Sequence, residues 1–358
     1  MMNPRVTFVI MAGGRGERLW PLVRTDLPKV CLSPDGRRSL LEVTIERLRP
    51  VWPQAAWLIV TTQEQRGAIR RALPRRWHAS ILAEPSTKNT AACLTLAAAS
   101  IAAQDPGRVM VAVPADHWIG RLERFRRAMR TAIRAAVRYD TLATIGIRPT
   151  HPHPGLGYLC AGEPLASLSG VQLFRLARNV EKPSITAASR LLARPRTYWN
   201  SGMFIGTADT FLKLVARWLP GHARQLAPLG TDGSLRGGRP SVRARRAYGR
   251  VRPVSFDHGV LCHLRGGVVV DGRFPWADLG SWDLWAKLGR GAVRTLSVDS
   301  DNVTVVGQRQ HLIATVGVRD LLVVQTPTAT LICRADRAQS VREVVQQLAA
   351  DRRLASFR

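Results

Sequence analysis

Residues 6–11, VTFVIM, form an apolar run interrupted only by Thr7 that leads straight into Ala12-Gly13-Gly14-Arg15-Gly16, and this junction restricts the fold more than any other stretch of the chain. An apolar run with no polar alternation reads as a strand buried on both faces. Glycines at 13, 14 and 16 remove side chains where the backbone must bend sharply and approach a ligand. A helix opening just beyond the turn would aim free N–H groups at a phosphate. Arg18 and Lys29 add positive charge to the same stretch. The spacing matches neither common phosphate motif, because Leu19 stands where a dinucleotide turn needs its third glycine and no Gly-Lys-Ser or Gly-Lys-Thr follows. On these residues alone the segment is either a nucleotide cradle or an ordinary strand-to-helix turn flanked by basic residues.

Strand-like runs at 6–11, 56–61 and 109–113 alternate with helix-period segments, the pattern of a parallel sheet covered by helices. Ser39 with Glu42 makes a capping box ahead of the stripe Leu41, Ile45 and Leu48, and Leu122, Phe125, Met129, Ile133 and Val137 repeat the device with arginines outside. With 358 residues the chain has room for one large domain with an appendage or for two medium domains. Beyond about residue 288 the texture changes to short valine-rich strands at 302–306, 312–316, 321–325 and 330–333, closed by a helix capped at Ser340 with Glu343. The expected division is therefore 1–287 and a small β-rich unit at 288–358. The arginine-, glycine- and proline-rich stretch 236–252 has no apolar period and reads as an exposed loop.

Read as a whole, AGGRGERLWPLVRTDLPK resembles the signature of sugar-1-phosphate nucleotidyltransferases, and its Leu19-Trp20-Pro21-Leu22 resembles the mannose-1-phosphate guanylyltransferase branch. Further segments follow in that family's order: Glu84-Pro85-Ser86-Thr87-Lys88-Asn89-Thr90-Ala91, Val113-Pro114-Ala115-Asp116-His117, Gly155-Leu156-Gly157-Tyr158, Val180-Glu181-Lys182-Pro183, Trp199-Asn200-Ser201-Gly202-Met203-Phe204 and Trp276-Ala277-Asp278-Leu279-Gly280-Ser281-Trp282. The resemblance implies an α/β fold, a Rossmann-like mixed, mostly parallel sheet with helices on both faces, and a short C-terminal β-helix-like domain. It also implies nucleotidyl transfer, in which a phosphate oxygen of a sugar 1-phosphate attacks the α-phosphorus of a nucleoside triphosphate. For this branch the substrates are GTP and mannose 1-phosphate, the products GDP-mannose and pyrophosphate, and the cofactor Mg²⁺. Another sugar or nucleotide, or a non-catalytic regulatory paralogue, remains an alternative.

Carried over motif by motif, the resemblance places Ala12, Gly13, Gly14, Gly16, Arg18, Lys29, Glu84, Lys88, Asn89, Thr90, Pro114 and Asp116 on the nucleotide, with Arg18, Lys29 and Asp116 catalytic. It places Gly157, Glu181, Lys182 and Asn200 on the sugar phosphate, and Asp116 and Asp278 on the metal. The residue chemistry agrees: carboxylates suit a hard cation and sugar hydroxyls, while lysines and arginines suit phosphates. Nothing in the spacing of Asp116 and Asp278 brings them together, and either alone reads as a turn residue. His117 reads as a hydrogen-bonded histidine beside the metal, because an ionised phosphate needs no general base. Glu17 stands where the family usually has threonine, Val23 replaces a serine, and Cys31-Leu32 replaces Gln-Phe.

The formal charge of +28 raises nucleic-acid binding as a reading, but the excess is spread along the chain and no recognition motif accompanies it. Of 53 basic residues only five are lysines, at 29, 88, 182, 213 and 287, and the first three fall inside the motifs above. A compact ammonium is thus retained at those positions in an arginine-saturated chain. The five cysteines are odd in number and widely spaced, as expected of reduced thiols, and His151, His153 and Cys160 lack the second ligand pair a structural zinc would need. The expectation is that no leader precedes the first strand and that no fused isomerase domain follows, and the apolar stretch 91–103 is too short to span a bilayer. The expectation is a soluble cytoplasmic enzyme without nucleic-acid or membrane partners, with homodimerisation left open.

Overall fold

The computed structural model describes residues 3–358 apart from 35, 75, 76, 238, 281, 283, 284, 286–292 and 309. In chain order the first strands are β1 (Val6–Met11), β2 (Ala56–Thr62), β3 (Ser80–Glu84), β4 (Val109–Pro114), β5 (His117–Ile119) and β6 (Ala143–Ile147). They are followed by β7 (Tyr158–Leu168), β8 (Val171–Val180), β9 (Thr197–Thr207), β10 (Val268–Gly272) and β11 (Trp276–Asp278). Nine of them form one sheet in the order β3-β2-β1-β4-β9-β6-β10-β8-β7. The pairings make β8 and β9 run against the other seven, so the sheet is mixed yet mostly of one direction. The C-terminal ends of β1, β3, β4, β6 and β10 consequently share one edge, where such sheets hold their ligands.

Both faces are covered because helices with one apolar stripe must bury it against the sheet. On one face Phe8, Ile10 and Val111 pack with Leu41 and Ile45 of helix Leu40–Leu48 and with Phe125, Met129 and Ile133 of helix Leu122–Arg138. On the other, Val9, Val60 and Met110 pack with helices Asn89–Ala102 and Ala208–Trp218. Ser39 Oγ accepts from Glu42 N at 3.1 Å, as the capping box requires. Leu122 and Val137, expected in the second stripe, lie exposed at its ends. The stretch read as an exposed arginine-rich loop contains helix Val242–Arg250 instead. Ser241 caps it, and Ala244, Ala247 and Tyr248 form a buried stripe that the intervening arginines conceal.

The expected boundary at 287/288 lies outside the described residues. Beyond it, β12 (Arg294–Val298) pairs in parallel with β14 (Leu312–Val316), and β13 (Thr304–Val306) with β15 (Leu321–Gln325), which β16 (Thr330–Arg334) flanks antiparallel. Arg294 faces Leu312 and Thr304 faces Leu322, an offset of 18 residues both times, so the chain winds as a coil with that repeat. Asn302 and Asp320 are joined by a side-chain hydrogen bond across the same interval. Ser340 precedes helix Val341–Ala350 without a side-chain capping bond, contrary to expectation, because residues 335–340 already form a 3₁₀ turn.

This unit packs on the signature segment. Leu19, Trp20 and Val23 share an apolar cluster with Leu322, Val341, Val345 and Leu348. Trp20 Nε1 donates to the Phe357 carbonyl at 2.8 Å, and Arg18 Nη1 to Gln339 Oε1 at 3.2 Å.

Candidate active site

β4 ends at Pro114, and the chain turns through Asp116 into β5, whose three residues pair antiparallel with β11. The register sets Asp278 opposite His117, and Leu279 N donates to the Asp116 carbonyl at 3.2 Å. This small ribbon unites the two aspartates that their spacing left apart: the ligand atoms of Asp116, His117 and Asp278 lie within 4.8 Å of one another. Among the described residues they form the one His/Cys/Asp/Glu grouping able to hold a metal ion.

Lys29 joins them. Its Nζ lies 2.5 Å from Asp116 Oδ2 and 3.6 Å from Asp278 Oδ1. Gly16 makes room for it, since a Cβ there would come within 2.8 Å of Lys29 Cβ and φ is +65°. Arg18 approaches from the other side, its Nη2 2.9 Å from where a Cβ on Gly280 would sit. Burial works against the Asp116 anion, but Lys29 beside it prevails and holds the carboxyl below its usual range. Burial pushes the His117 imidazole down to about 4, so the ring is neutral at pH 7. Its Nδ1 accepts from Trp276 Nε1 at 3.2 Å, which assigns the remaining proton to Nε2. That ring is thus a poor ligand, whereas two carboxylates offer the oxygen donors that a hard divalent ion takes.

Arg47, absent from the sequence-based set, braces the turn from behind. Its buried guanidinium donates to the His117 carbonyl at 2.6 Å and to Thr44 Oγ1 at 2.9 Å, and Thr44 Oγ1 donates to the Ala115 carbonyl at 3.1 Å. The available signal was its place three residues after Thr44, on the inward side of an otherwise apolar stripe.

Nearby, Ala12 is buried with its carbonyl held by Thr61 Oγ1, Gly14 is open, and Gln65 Nε2 donates to the Gly14 carbonyl at 3.2 Å. Glu17 pairs with Arg15 at 3.5 Å, so its charge has a local counterpart. Glu17→Thr is therefore expected to leave turnover within about threefold of wild type, as for other exposed pairs; initial rates at saturating substrate check this, and loss of activity would give Glu17 a positive role.

Glu84 lies behind the glycine turn, its Oε2 3.5 Å from where a Cβ on Gly13 would be and its Oε1 accepting from the Tyr248 hydroxyl at 3.2 Å. Burial pushes its carboxyl from an ordinary 4.5 up to about 8, with the Tyr248 bond opposing. Between those values the folded state holds a proton that the unfolded chain has lost. Stability therefore falls as pH climbs from 4.5 through 8 and stays lowered above. Glu84→Gln is expected to remove this loss, making the variant more stable than wild type at pH 8.5 by a few kcal/mol. Urea midpoints across pH 5–8.5 test it, and parallel pH profiles would contradict it.

Lys88 and Asn89 begin the next helix, with Asn89 at φ +66°. Lys88 occupies the cap position without a side-chain bond, Asn89 Oδ1 accepts from Thr90 N at 2.8 Å, and Thr90 Oγ1 accepts from Phe256 N at 2.8 Å. Ala91 N donates to the Val254 carbonyl at 3.2 Å, completing a zip between the two segments. Pro114 and Gly202 are neighbours, with 3.7 Å between Pro114 Cγ and a Cβ built on Gly202.

The remaining sequence-based residues form a second cluster. Gly157 lies against both acceptor residues: a Cβ built on it would be 2.5 Å from Glu181 Oε2 and 3.3 Å from Asn200 Cβ. Asn200 N donates to the Gly157 carbonyl at 2.8 Å, and Lys182 Nζ lies 3.8 Å from Glu181 Oε1. Asp257, absent from the sequence-based set, completes it: Asn200 Nδ2 donates to Asp257 Oδ1 at 2.6 Å.

The family model for nucleotidyl transferases matches residues 7–288. The chain belongs to the nucleotidyl transferase family. A second model, for the MannoseP isomerase/GMP-like β-helix domain, matches residues 293–348 of this nucleotidyltransferase. A relative from Escherichia coli (strain K12) named mannose-1-phosphate guanylyltransferase is 34% identical, with 99% of this chain and 75% of that protein covered. One of the same name from Salmonella typhimurium is also 34% identical, with the same coverage of 99% and 75%. The crystal structure of a protein titled mannose-1-phosphate geranyltransferase from Thermus thermophilus superposes with a TM-score of 0.81 at 30% identity, covering 97% of this chain and 100% of that one. No described helix of the nucleotidyltransferase is long and apolar enough to cross a membrane.

Proposed function

We propose that this nucleotidyltransferase transfers the guanylyl group of GTP to mannose 1-phosphate, giving GDP-mannose and pyrophosphate, with Mg²⁺ as cofactor and the cytoplasm as its compartment. The observation that carries the reading is the convergence of Asp116, Asp278 and Lys29 at the sheet edge between the glycine turn and the Gly157–Glu181–Asn200 cluster. The 33–34% relatives that cover nearly the whole chain supply the sugar and the base.

The two reactants are both anions, so catalysis consists of alignment and charge compensation. The backbone of the glycine turn, open at Gly14, receives the triphosphate, and Arg18 and Lys29 set positive charge against it. A divalent ion held by Asp116 and Asp278 would polarise the phosphoryl oxygens and offset the charge of departing pyrophosphate. Lys182, exposed at φ +46°, reaches the phosphate of the sugar, while Glu181 and Asn200 hold its hydroxyls. The attacking phosphate oxygen is already ionised, and neutral His117 takes no proton from it.

Pyrophosphate release from the purified protein with Mg²⁺ tests this, pairing GTP, ATP, UTP, CTP and dTTP with mannose, glucose and other sugar 1-phosphates. A maximum at GTP with mannose 1-phosphate is expected. A maximum at another pair would move the specificity, and no release with any pair would favour a regulatory, non-catalytic role.

A further inference from the structure

We propose that Asp257 is a second sugar-recognising carboxylate, set opposite Glu181, so that the acceptor pocket selects a sugar 1-phosphate by hydroxyl groups donated to both acids. The proposal rests on the reading above and deepens its acceptor side.

Asp257 opens a single π turn, Asp257–Leu261, a widened turn of the kind that recurs at functional sites. The backbone before it is fixed twice. Phe256 N donates to Thr90 Oγ1, and the buried Phe256 ring packs 5.0 Å from Phe204 and 5.5 Å from Phe211 between centroids. Asp257 is therefore carried by rigid structure tied to the Thr90 segment.

The orientation of Asn200 decides what the pocket offers. Its Oδ1 accepts from Gly202 N at 3.0 Å and its Nδ2 donates to Asp257 Oδ1 at 2.6 Å. Asn200 keeps one N–H and one carbonyl lone pair free, and the charged acceptors in this cluster are the carboxylates of Glu181 and Asp257. Burial and then the Asp257 charge push the Glu181 carboxyl up to about 7, while burial raises Asp257 itself. Lys182, at 3.8 Å from Glu181, is the cation beside them and is largely exposed. Bringing two carboxylates together in a half-buried pocket costs free energy unless donors meet them. A polyol supplies such donors, several hydroxyls on one face, and a phosphate does not.

The competing role for Asp257 is purely architectural, an Asn–Asp bond that ties β9 to the π turn. Steady-state kinetics on Asp257→Asn, which keeps shape and loses charge, and on Asp257→Ala separate the two roles. Loss of a charge-assisted bond to a hydroxyl is expected to raise the KM for mannose 1-phosphate by about tenfold or more, with the KM for GTP unchanged. For one monodeoxy analogue of the sugar 1-phosphate the same substitutions are expected to cost almost nothing, because the partner hydroxyl is already absent. Equal changes in both KM values, a fall in kcat alone, or the same penalty on every deoxy analogue would overturn the proposal.

Binding provides a readout independent of turnover. Calorimetric titration of Asp257→Asn is expected to show GDP-mannose weakened by about tenfold and GDP unaffected. Equal weakening of both would assign Asp257 to the scaffold. If the wild type proves to use a different sugar 1-phosphate, the guanylyl-to-mannose reading fails, and the same comparison with that sugar nucleotide still decides the role of Asp257.

Discussion

Asp116→Asn is expected to lower turnover by about a thousandfold, the effect of removing several kcal/mol of transition-state charge stabilisation, while the fold persists. The substitution changes one oxygen to an amide and leaves the backbone of the 115–117 turn untouched, where the Asp116 carbonyl still accepts from Leu279 N and Arg47 still braces His117. It removes the partner of Lys29 at 2.5 Å and half of the oxygen set that could hold a divalent ion. The readouts are initial rates across a Mg²⁺ titration together with thermal melting. Near wild-type rates at every Mg²⁺ concentration would take Asp116 out of the catalytic centre.

Lys29→Met is expected to lower turnover by about a hundredfold or more, in line with loss of one preorganised cationic donor to a reacting phosphate. It should also change how the protein responds to metal. Lys29 is buried and is the counter-charge shared by Asp116 and Asp278, so its removal leaves two carboxylates facing each other. In metal-free buffer the variant is expected to melt below wild type, having lost about 1–3 kcal/mol. Added Mg²⁺ should then raise its melting temperature more than that of wild type, because the bare carboxylate pair binds the ion without displacing an ammonium. Equal Mg²⁺ responses in the two proteins would show that Lys29 and the ion do not share a site.

The sequence announces elements whose signal is local and hides those that depend on distant pairing. The run Val6–Met11 reads as a buried strand, and the glycine turn after it, with Gly16 at φ +65° over Lys29, is marked by residue type. The Ser39 cap and the stripe behind it follow from three- and four-residue spacing. The meeting of Asp116 with Asp278 does not, because it rests on two strands of three residues each, too short for any period to show. Arg47 is concealed by being a charge on an apolar helix face, legible only once the His117 carbonyl is seen above it. The segment Phe256-Asp257-His258-Gly259 only loosely follows the family's pattern before Asp278, and its π turn has no standard spacing to mark Asp257 as a site residue. Helix Val242–Arg250 is concealed by arginines on every side of its small buried stripe.

The C-terminal coil shows how far a resemblance can carry beyond local signals. Its strands are short and its individual apolar residues ordinary, yet the 18-residue offset in both parallel pairs makes it one winding unit. That unit grips the signature segment through Trp20 and Gln339. Arg18, assigned above to the triphosphate, is thus oriented partly by residues more than 300 positions away.

The most direct test of the central claim follows the label of GTP carrying ³²P at the α-phosphorus, incubated with mannose 1-phosphate, Mg²⁺ and the full chain. The account predicts that the label passes into GDP-mannose in wild type, in an amount equal to the pyrophosphate released, and that Asp116→Asn and Asp278→Asn both abolish the transfer. Label retained in GTP or released as free GMP by wild type, or transfer that survives loss of both aspartates, would contradict it.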